Sequence, residues 1–78
     1  GDKNTIIGYA ADPSANNGSN QIVIGYNATG LGDNKAVIGN SDVTDIYMAQ
    51  DNGATVHCGG LVLNNITYPQ LMDLLIKY

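Results

Sequence analysis

Three short apolar phrases, each ending in glycine, recur along the first half of the chain. They are Thr5-Ile6-Ile7-Gly8, Ile22-Val23-Ile24-Gly25 and Ala36-Val37-Ile38-Gly39, and their glycines lie 17 and then 14 residues apart. Short β-branched runs of this kind predict strands. A repeat this short predicts a solenoid, because one coil cannot bury its apolar face alone. The three surplus residues of the first interval are predicted to lie in an enlarged, turn-rich loop within residues 11–18.

Both faces of each phrase are apolar. Side chains alternate along a strand, so the residues one and three before each glycine share a face, and the residue two before it points the other way. A strand with one wet face would carry polar residues there. The chain's own coil can cover one face, and 78 residues leave little to cover the other. We predict that further copies cover it around a symmetry axis lined by Ile6, Val23 and Val37. A central strand of a monomeric sheet is the alternative.

Polar and aromatic residues also recur at matching places. Asn20 and Asn34 each stand five residues before their glycine, where the first rung has Lys3. We expect the two asparagines to form a ladder that starts at the second rung. Tyr9 and Tyr26 each follow their glycine and are predicted to stack on the outer wall. Such tyrosines above Asn and Asp loops fit either a carbohydrate-facing surface or simple packing.

The phrases Asn20-Gln21-Ile22-Val23-Ile24-Gly25 and Asn34-Lys35-Ala36-Val37-Ile38-Gly39 resemble the head repeats of YadA-like trimeric autotransporter adhesins. Similar repeats occur in phage tail fibres and in fibres of large DNA viruses. The resemblance covers residues 3–41 and implies a mainly β fold, a homotrimer of left-handed parallel β-rolls or β-helices with coils of about 14 residues. It implies that the position two before glycine faces the axis. The flanking positions then fill each chain's roll: Ile7, Ile22, Ile24, Ala36 and Ile38. Thr5 departs from this pattern, so the first rung is expected to be frayed or capping.

Two further segments follow the repeats, so the chain divides into residues 1–41, 42–64 and 65–78 of one continuous fibre module. Residues 42–49 and 54–58 predict strands on either side of a turn signal at residues 51–53, and residues 61–63 form a third apolar run. This section resembles the segment after the head repeats of viral fibre proteins. The resemblance implies a short triangular β-prism whose walls combine strands from three chains.

The last segment predicts a helix. Pro69 suits its first turn and Thr67 is a candidate N-cap. One helical face carries Leu71, Leu74, Leu75 and Tyr78. A helix of about ten residues is marginal alone, so we expect it to pack on symmetry mates or under the β-section, or to begin a longer coiled coil.

Composition narrows the function. A chain of 78 residues with one cysteine has no internal disulfide, and oligomerisation is the stabilising device that remains for so small a scaffold. A net charge of −4 predicts no nucleic-acid partner, and no apolar run reaches the roughly 20 residues needed for membrane insertion. Because the chain begins with Gly1 rather than Met, we expect a piece of a longer protein.

Candidate chemistry is sparse, and we predict no catalytic residue, cofactor or metal. His57 and Cys58 are neighbours in a predicted strand and point to opposite faces. They indicate a buried thiol beside a turn or interface histidine, or alternatively three His57 copies holding a metal on the axis. Asp42, Asp45 and Asp51 indicate solvated turns rather than a calcium site, because their spacing fits no loop motif.

The leading interpretation is a structural and adhesive segment of a trimeric viral or phage fibre. It would project from the virion surface and contact a host-surface glycan or protein. A head fragment of a bacterial adhesin on the outer cell surface is the alternative. A hexapeptide-repeat acyltransferase is a distant third, because the position six after Ile24 is Gly30, which breaks the period.

Overall fold

The computed structural model describes residues 1–64 and 66–77. In chain order the elements are β1 (Thr5–Ile7), β2 (Ile22–Ile24), β3 (Ala36–Ile38), β4 (Val62–Leu63), β5 (Ile66–Thr67) and α1 (Tyr68–Lys77). The chain divides into two compact units, Gly1–Ile46 and Tyr47–Tyr78. The first unit holds the three repeated phrases and ends five residues beyond the predicted end of the repeats.

The three phrases are successive rungs of one parallel sheet. The strand order is β1-β2-β3, and the register aligns Ile6 with Val23 and Val23 with Val37. This is the alignment that the glycine spacing predicts. A second wall returns on the far side of the coil, where Asp12 bridges Thr29 in parallel. The structure thus shows the predicted strands as a three-stranded parallel sheet, whereas the β-roll, its handedness and the trimer stay predictions.

A column of glycines turns the chain at the end of each rung. Gly8, Gly25 and Gly39 all have positive φ, from 96° to 133°, which residues other than glycine rarely adopt. They also lie against one another, because a Cβ on Gly25 would approach Gly39 Cα to 3.2 Å. Glycine at these positions therefore satisfies both the backbone conformation and the spacing of the rungs.

The three surplus residues of the first coil lie in the predicted loop. Asp12 pairs with Thr29 on the return wall, and Asn20 pairs with Asn34 at the start of the next rung. The first coil takes eight residues from Asp12 to Asn20, whereas the second takes five from Thr29 to Asn34. Within the longer segment the Gly18 N–H donates to the Ala15 carbonyl over 3.0 Å and closes a turn.

The two faces of the rungs are the reverse of the predicted ones. Val23 is fully buried within its own chain, and the middle residue is the most buried of each strand, with Ile6 and Val37 half-buried. Across the coil from Val23 lies Gly30, on which a Cβ would approach Val23 Cγ2 to 3.2 Å. The prediction that Ile6, Val23 and Val37 face neighbouring copies is corrected accordingly. They face the interior of the chain's own coil, because the small residues Ala28 and Gly30 of the return wall leave room there for the Val23 side chain.

The predicted roll core therefore lies on the outer face of the sheet. Ile7, Ile22 and Ile38 are 55%, 41% and 53% exposed, Ala36 is exposed and Ile24 is half-buried. Strand alternation gives the reason, since a buried Val23 forces Ile22 and Ile24 to the opposite side.

The second unit contains a hairpin and a helix. β4 and β5 pair antiparallel, with Leu63 opposite Ile66, and α1 follows directly after Thr67. The predicted helix is confirmed, although Tyr78 lies outside the described residues. A turn is also present beside the predicted signal at residues 51–53, although it spans residues 49–52, because the Asn52 N–H donates to the Ala49 carbonyl over 3.0 Å. The Gly53 N–H then donates to Asp51 Oδ1 over 2.9 Å.

Residues 42–49 and 54–58 form no strand in the described chain. A strand requires a neighbour that is hydrogen-bonded along its length, whereas within the described chain one backbone hydrogen bond joins the two segments, from the Ala54 N–H to the Met48 carbonyl over 3.3 Å. Their apolar side chains are accordingly exposed, as at Val43, Ile46 and Val56. The prism was predicted to combine strands of three chains, and it stays a prediction.

Candidate functional site

A polar cluster closes one end of the coil interior. The fully buried Gln21 donates from Nε2 to Ser14 Oγ over 2.8 Å and to Asp33 Oδ1 over 3.0 Å. Its Oε1 accepts from the Ser14 N–H over 3.0 Å. Gln21 lies on the same face as Val23, so these bonds offset the cost of placing an amide inside the coil. This role of Gln21 was not predicted from the sequence, although an uncharged amide directly before an apolar strand is a signal for it.

Asp33 joins this cluster at the surface. Its carboxylate accepts from the Ser19 N–H over 2.8 Å as well as from Gln21. The hydrogen bond from the Ser19 backbone, followed by that from Gln21, lowers the pKa of Asp33 below its usual value. The ionised form therefore helps to hold the enlarged loop to the following coil.

The predicted asparagine ladder is present. Asn20 Nδ2 donates to Asn34 Oδ1 over 2.8 Å. Both residues have left-handed φ, 55° and 64°, as does Lys3 at 63°. Asparagine adopts this conformation more readily than most residues. The repeated asparagine thus provides the corner before the second and third rungs and a hydrogen bond between them.

The outer face of β1, β2 and β3 is a candidate interaction surface of the first unit. We call it the aliphatic face, and it comprises Ile7, Ile22, Ile24, Ala36 and Ile38. Its three most exposed isoleucines lie on three successive rungs, and strand spacing places neighbouring rungs about 4.8 Å apart. The aliphatic face is therefore a flat strip whose apolar side chains repeat with the rung spacing. Contiguous exposed apolar surface of this kind marks an interaction site.

The tyrosines form a second surface, at the corner after each rung. The rings of Tyr9 and Tyr26 are stacked, with centroids 5.8 Å apart and planes 13° from parallel, so the predicted stacking is confirmed. Both side chains are exposed, at 78% and 60%. The equivalent position of the third rung is Asn40, whose Nδ2 donates to the Tyr26 carbonyl over 2.8 Å.

A cleft of about 400 Å³ opens where the tyrosine column ends. We call it the Tyr26 cleft, and the residues that line it are Tyr26, Asn27, Ala28, Thr29, Gly39, Asn40, Ser41 and Asp42. Asn40 is held in place, because its Oδ1 also accepts from the Asp42 N–H over 2.8 Å. The side chains of Asn27, Thr29, Ser41 and Asp42 make no hydrogen bond within the described residues.

The other predicted candidates lie apart from these surfaces. Cys58 is exposed with a free thiol, and His57 beside it is exposed as well, so the buried thiol that the sequence indicated is not present in the single chain. Within residues 1–64 and 66–77, no group of three His, Cys, Asp or Glu side chains is placed to hold a metal ion. Among the helices that the structure describes, none is long and apolar enough to cross a membrane.

The predicted packing face of α1 is largely uncovered. Leu74 and Leu75 are 53% and 63% exposed, whereas Leu71 is half-buried. Tyr78, the fourth predicted residue of this face, is not among the described residues. The helix therefore buries one end of its apolar stripe within its own unit.

Three comparisons with known proteins identified no relative of this chain. No protein-family model matches the chain, and neither the curated proteins nor the solved structures give a significant match.

Proposed function

We propose that the chain is a structural and adhesive segment of a trimeric fibre, one that projects from a viral or phage particle and contacts the host surface. The observation that carries the proposal is the aliphatic face on a stack of parallel coils. Ile22 in the central strand remains 41% exposed although it has a neighbouring strand on each side. Further chain is the cover that such a face requires.

Two more copies of the same chain are the cover we propose. The aliphatic face repeats with the rung spacing, and another copy presents the same repeat at the same spacing. Three copies around one axis place every rung beside its equivalents, so that each isoleucine meets two others. This arrangement keeps the trimer of the sequence interpretation but builds it on Ile7, Ile22, Ile24, Ala36 and Ile38.

The remaining exposed apolar residues support the same assembly. Val43, Ile46, Met48 and Val56 lie in segments without strand pairing, and in a trimer each segment can pair with the other chains. Leu74 and Leu75 of α1 can likewise pack on their equivalents. A monomer would leave all of these side chains in water.

The mass in solution tests the proposal. One chain is 8.2 kDa, so multi-angle light scattering is expected to give about 25 kDa for the trimer. A stable, folded 8.2 kDa species at micromolar concentration would rule the fibre segment out. The repeats of this chain also resemble those of bacterial adhesin heads. The domain next to this segment distinguishes the two functions, because a membrane-anchor barrel would indicate an adhesin and a virion-attachment domain would indicate a fibre.

A further inference from the structure

We propose that the Tyr26 cleft binds a neutral pyranose of a host glycan, with the sugar stacked on the Tyr26 ring. This inference deepens the proposed function by naming the chemical class that the fibre recognises. It rests on that function for its biological setting and on the geometry of the cleft for its chemistry.

The column of stacked tyrosines stops after the second rung. Tyr9 and Tyr26 stack on successive rungs at 5.8 Å, and the third rung carries Asn40 at the same position. Asn40 cannot continue the column, because both ends of its side chain are bonded to backbone, at the Tyr26 carbonyl and the Asp42 N–H. Tyr26, the last ring of the column, and Asn40, the equivalent residue of the third rung, both line a cleft of about 400 Å³. That volume falls in the usual range of small-ligand sites, about 300–1,000 Å³.

The residues that line the Tyr26 cleft match the chemical groups of a pyranose. A pyranose has one face of C–H groups and a rim of hydroxyls. Aromatic rings carry a negative face, which favours the C–H face. The hydroxyl rim needs donors and acceptors together, and Asn27, Thr29 and Ser41 provide both kinds. None of these side chains is engaged within the described residues, so all can serve a ligand.

Charge selects the kind of sugar. Asp42 is the one carboxylate among the lining residues, and the chain carries a net charge of −4. Both disfavour an acidic sugar, whose carboxylate would approach Asp42. A single carboxylate with several neutral groups also suits a polyol better than a metal cation, which prefers six or more oxygen ligands when it is calcium. A neutral hexose or N-acetylhexosamine is the class that remains.

A titration of the ¹⁵N-labelled full chain by NMR tests the inference. The probes are methyl β-D-galactopyranoside, methyl β-D-glucopyranoside, methyl α-D-mannopyranoside and methyl N-acetyl-β-D-glucosaminide, with N-acetylneuraminic acid as the acidic comparator. We expect at least one neutral pyranoside to give saturable shifts at the amides of residues 26–29 and 39–42, with a millimolar dissociation constant. The acidic sugar is expected to give none. Saturable shifts located elsewhere, or none from any neutral probe, would overturn the site.

Two variants separate stacking from hydrogen bonding. Tyr26→Ser is expected to weaken binding about two- to tenfold, the range typical of aromatic contacts. Asp42→Ala changes an exposed side chain outside the strands and is expected to weaken binding without altering the spectrum of the rungs. Tyr47→Ser is the control, because Tyr47 is also an exposed tyrosine but lies in the second unit. If the Tyr26 and Asp42 variants both bind the sugar with the affinity of the unsubstituted protein, the cleft is not the binding site.

The mass of the same samples in solution distinguishes a failure of the glycan site from a failure of the proposed fibre segment. A trimer that binds no neutral pyranoside overturns the glycan site and leaves the fibre segment standing. A monomer that binds one overturns the fibre segment and leaves the site. In a trimer that binds, three equivalent clefts raise the avidity for a multivalent surface without any new contact.

Discussion

Replacing Ile38 by aspartate is expected to convert the proposed trimer into folded single chains. Ile38 belongs to the aliphatic face and is 53% exposed in the isolated chain. The substitution therefore places a carboxylate where a single copy already meets water, and the coil of that copy should tolerate it. In the proposed trimer the same position is covered by two other chains.

The expected loss can be worked from the exposed fraction. Burying an isoleucine completely is worth about 1.5–3 kcal/mol, so covering the exposed half of Ile38 contributes about 1 kcal/mol per copy. Removing a carboxylate from water costs several kcal/mol more, and three like charges near one axis repel. A total of about 4 kcal/mol per copy corresponds to about a thousandfold in affinity for each chain.

Light scattering and circular dichroism at neutral pH measure the outcome. We expect a species near 8.2 kDa that keeps the spectrum of the first unit. The control is Ile38→Val, which keeps an apolar face and should remain trimeric. Lowering the pH toward the pKa of the introduced carboxyl should restore part of the assembly, because the neutral form is less costly to bury. A trimer of undiminished stability for Ile38→Asp would refute the proposed face.

Three further predictions concern the coil itself. Gly25→Ala is expected to destabilise the folded state by about 2 kcal/mol or more, because φ is +133° and the new Cβ would press on Gly39; denaturant unfolding measures it. Asn20→Ala should cost about 1–2 kcal/mol in the same assay through the lost ladder bond and the left-handed φ of 55°. The Asp33 carboxylate stabilises the fold at neutral pH. Since its folded pKa lies below the usual 3.8, that contribution should be lost as the pH falls below about 3.8 and through the folded value.

Each of these has a matched control. Asn20→Gly keeps the left-handed corner but not the ladder bond, so it should recover part of the loss of Asn20→Ala; an equal loss would mean that the backbone conformation is irrelevant. Gly53→Ala, in a turn of the second unit, should leave the unfolding of the first unit unchanged. Asp33→Asn should flatten the acid limb of the stability profile, and an unchanged limb would assign it to other carboxyls.

A substitution at Val23 tests whether this residue faces the interior of its own coil, as in the structure, or the symmetry axis, as the sequence predicted. Val23→Asp would place a carboxylate where the side chain has no exposed surface, facing Gly30 across the coil. Loss of the folded coil is expected, as seen by circular dichroism, because the charge is buried within one chain. A folded monomer of Val23→Asp would instead support the face that the sequence predicted for the axis.

The sequence by itself determined the rungs and their register. Glycine at positions 8, 25 and 39 is needed for positive φ and for close stacking, and this requirement is local, so it can be recognised without coordinates. The same holds for Asn20 and Asn34, whose side chains suit a left-handed corner, and for α1, whose apolar positions follow the helical period.

Only the tertiary structure decided which face of each rung is inside. Alternation places Ile22 and Val23 on opposite sides, but both are β-branched and apolar, so hydrophobicity cannot separate them. The return wall decides, because Gly30 lies against the side of β2 that carries Val23, so this side is the interior of the coil. Segments 42–49 and 54–58 follow the same logic: their residues have strand propensity, whereas a strand also needs a hydrogen-bonded neighbour along its length, and a sequence pattern does not specify that neighbour.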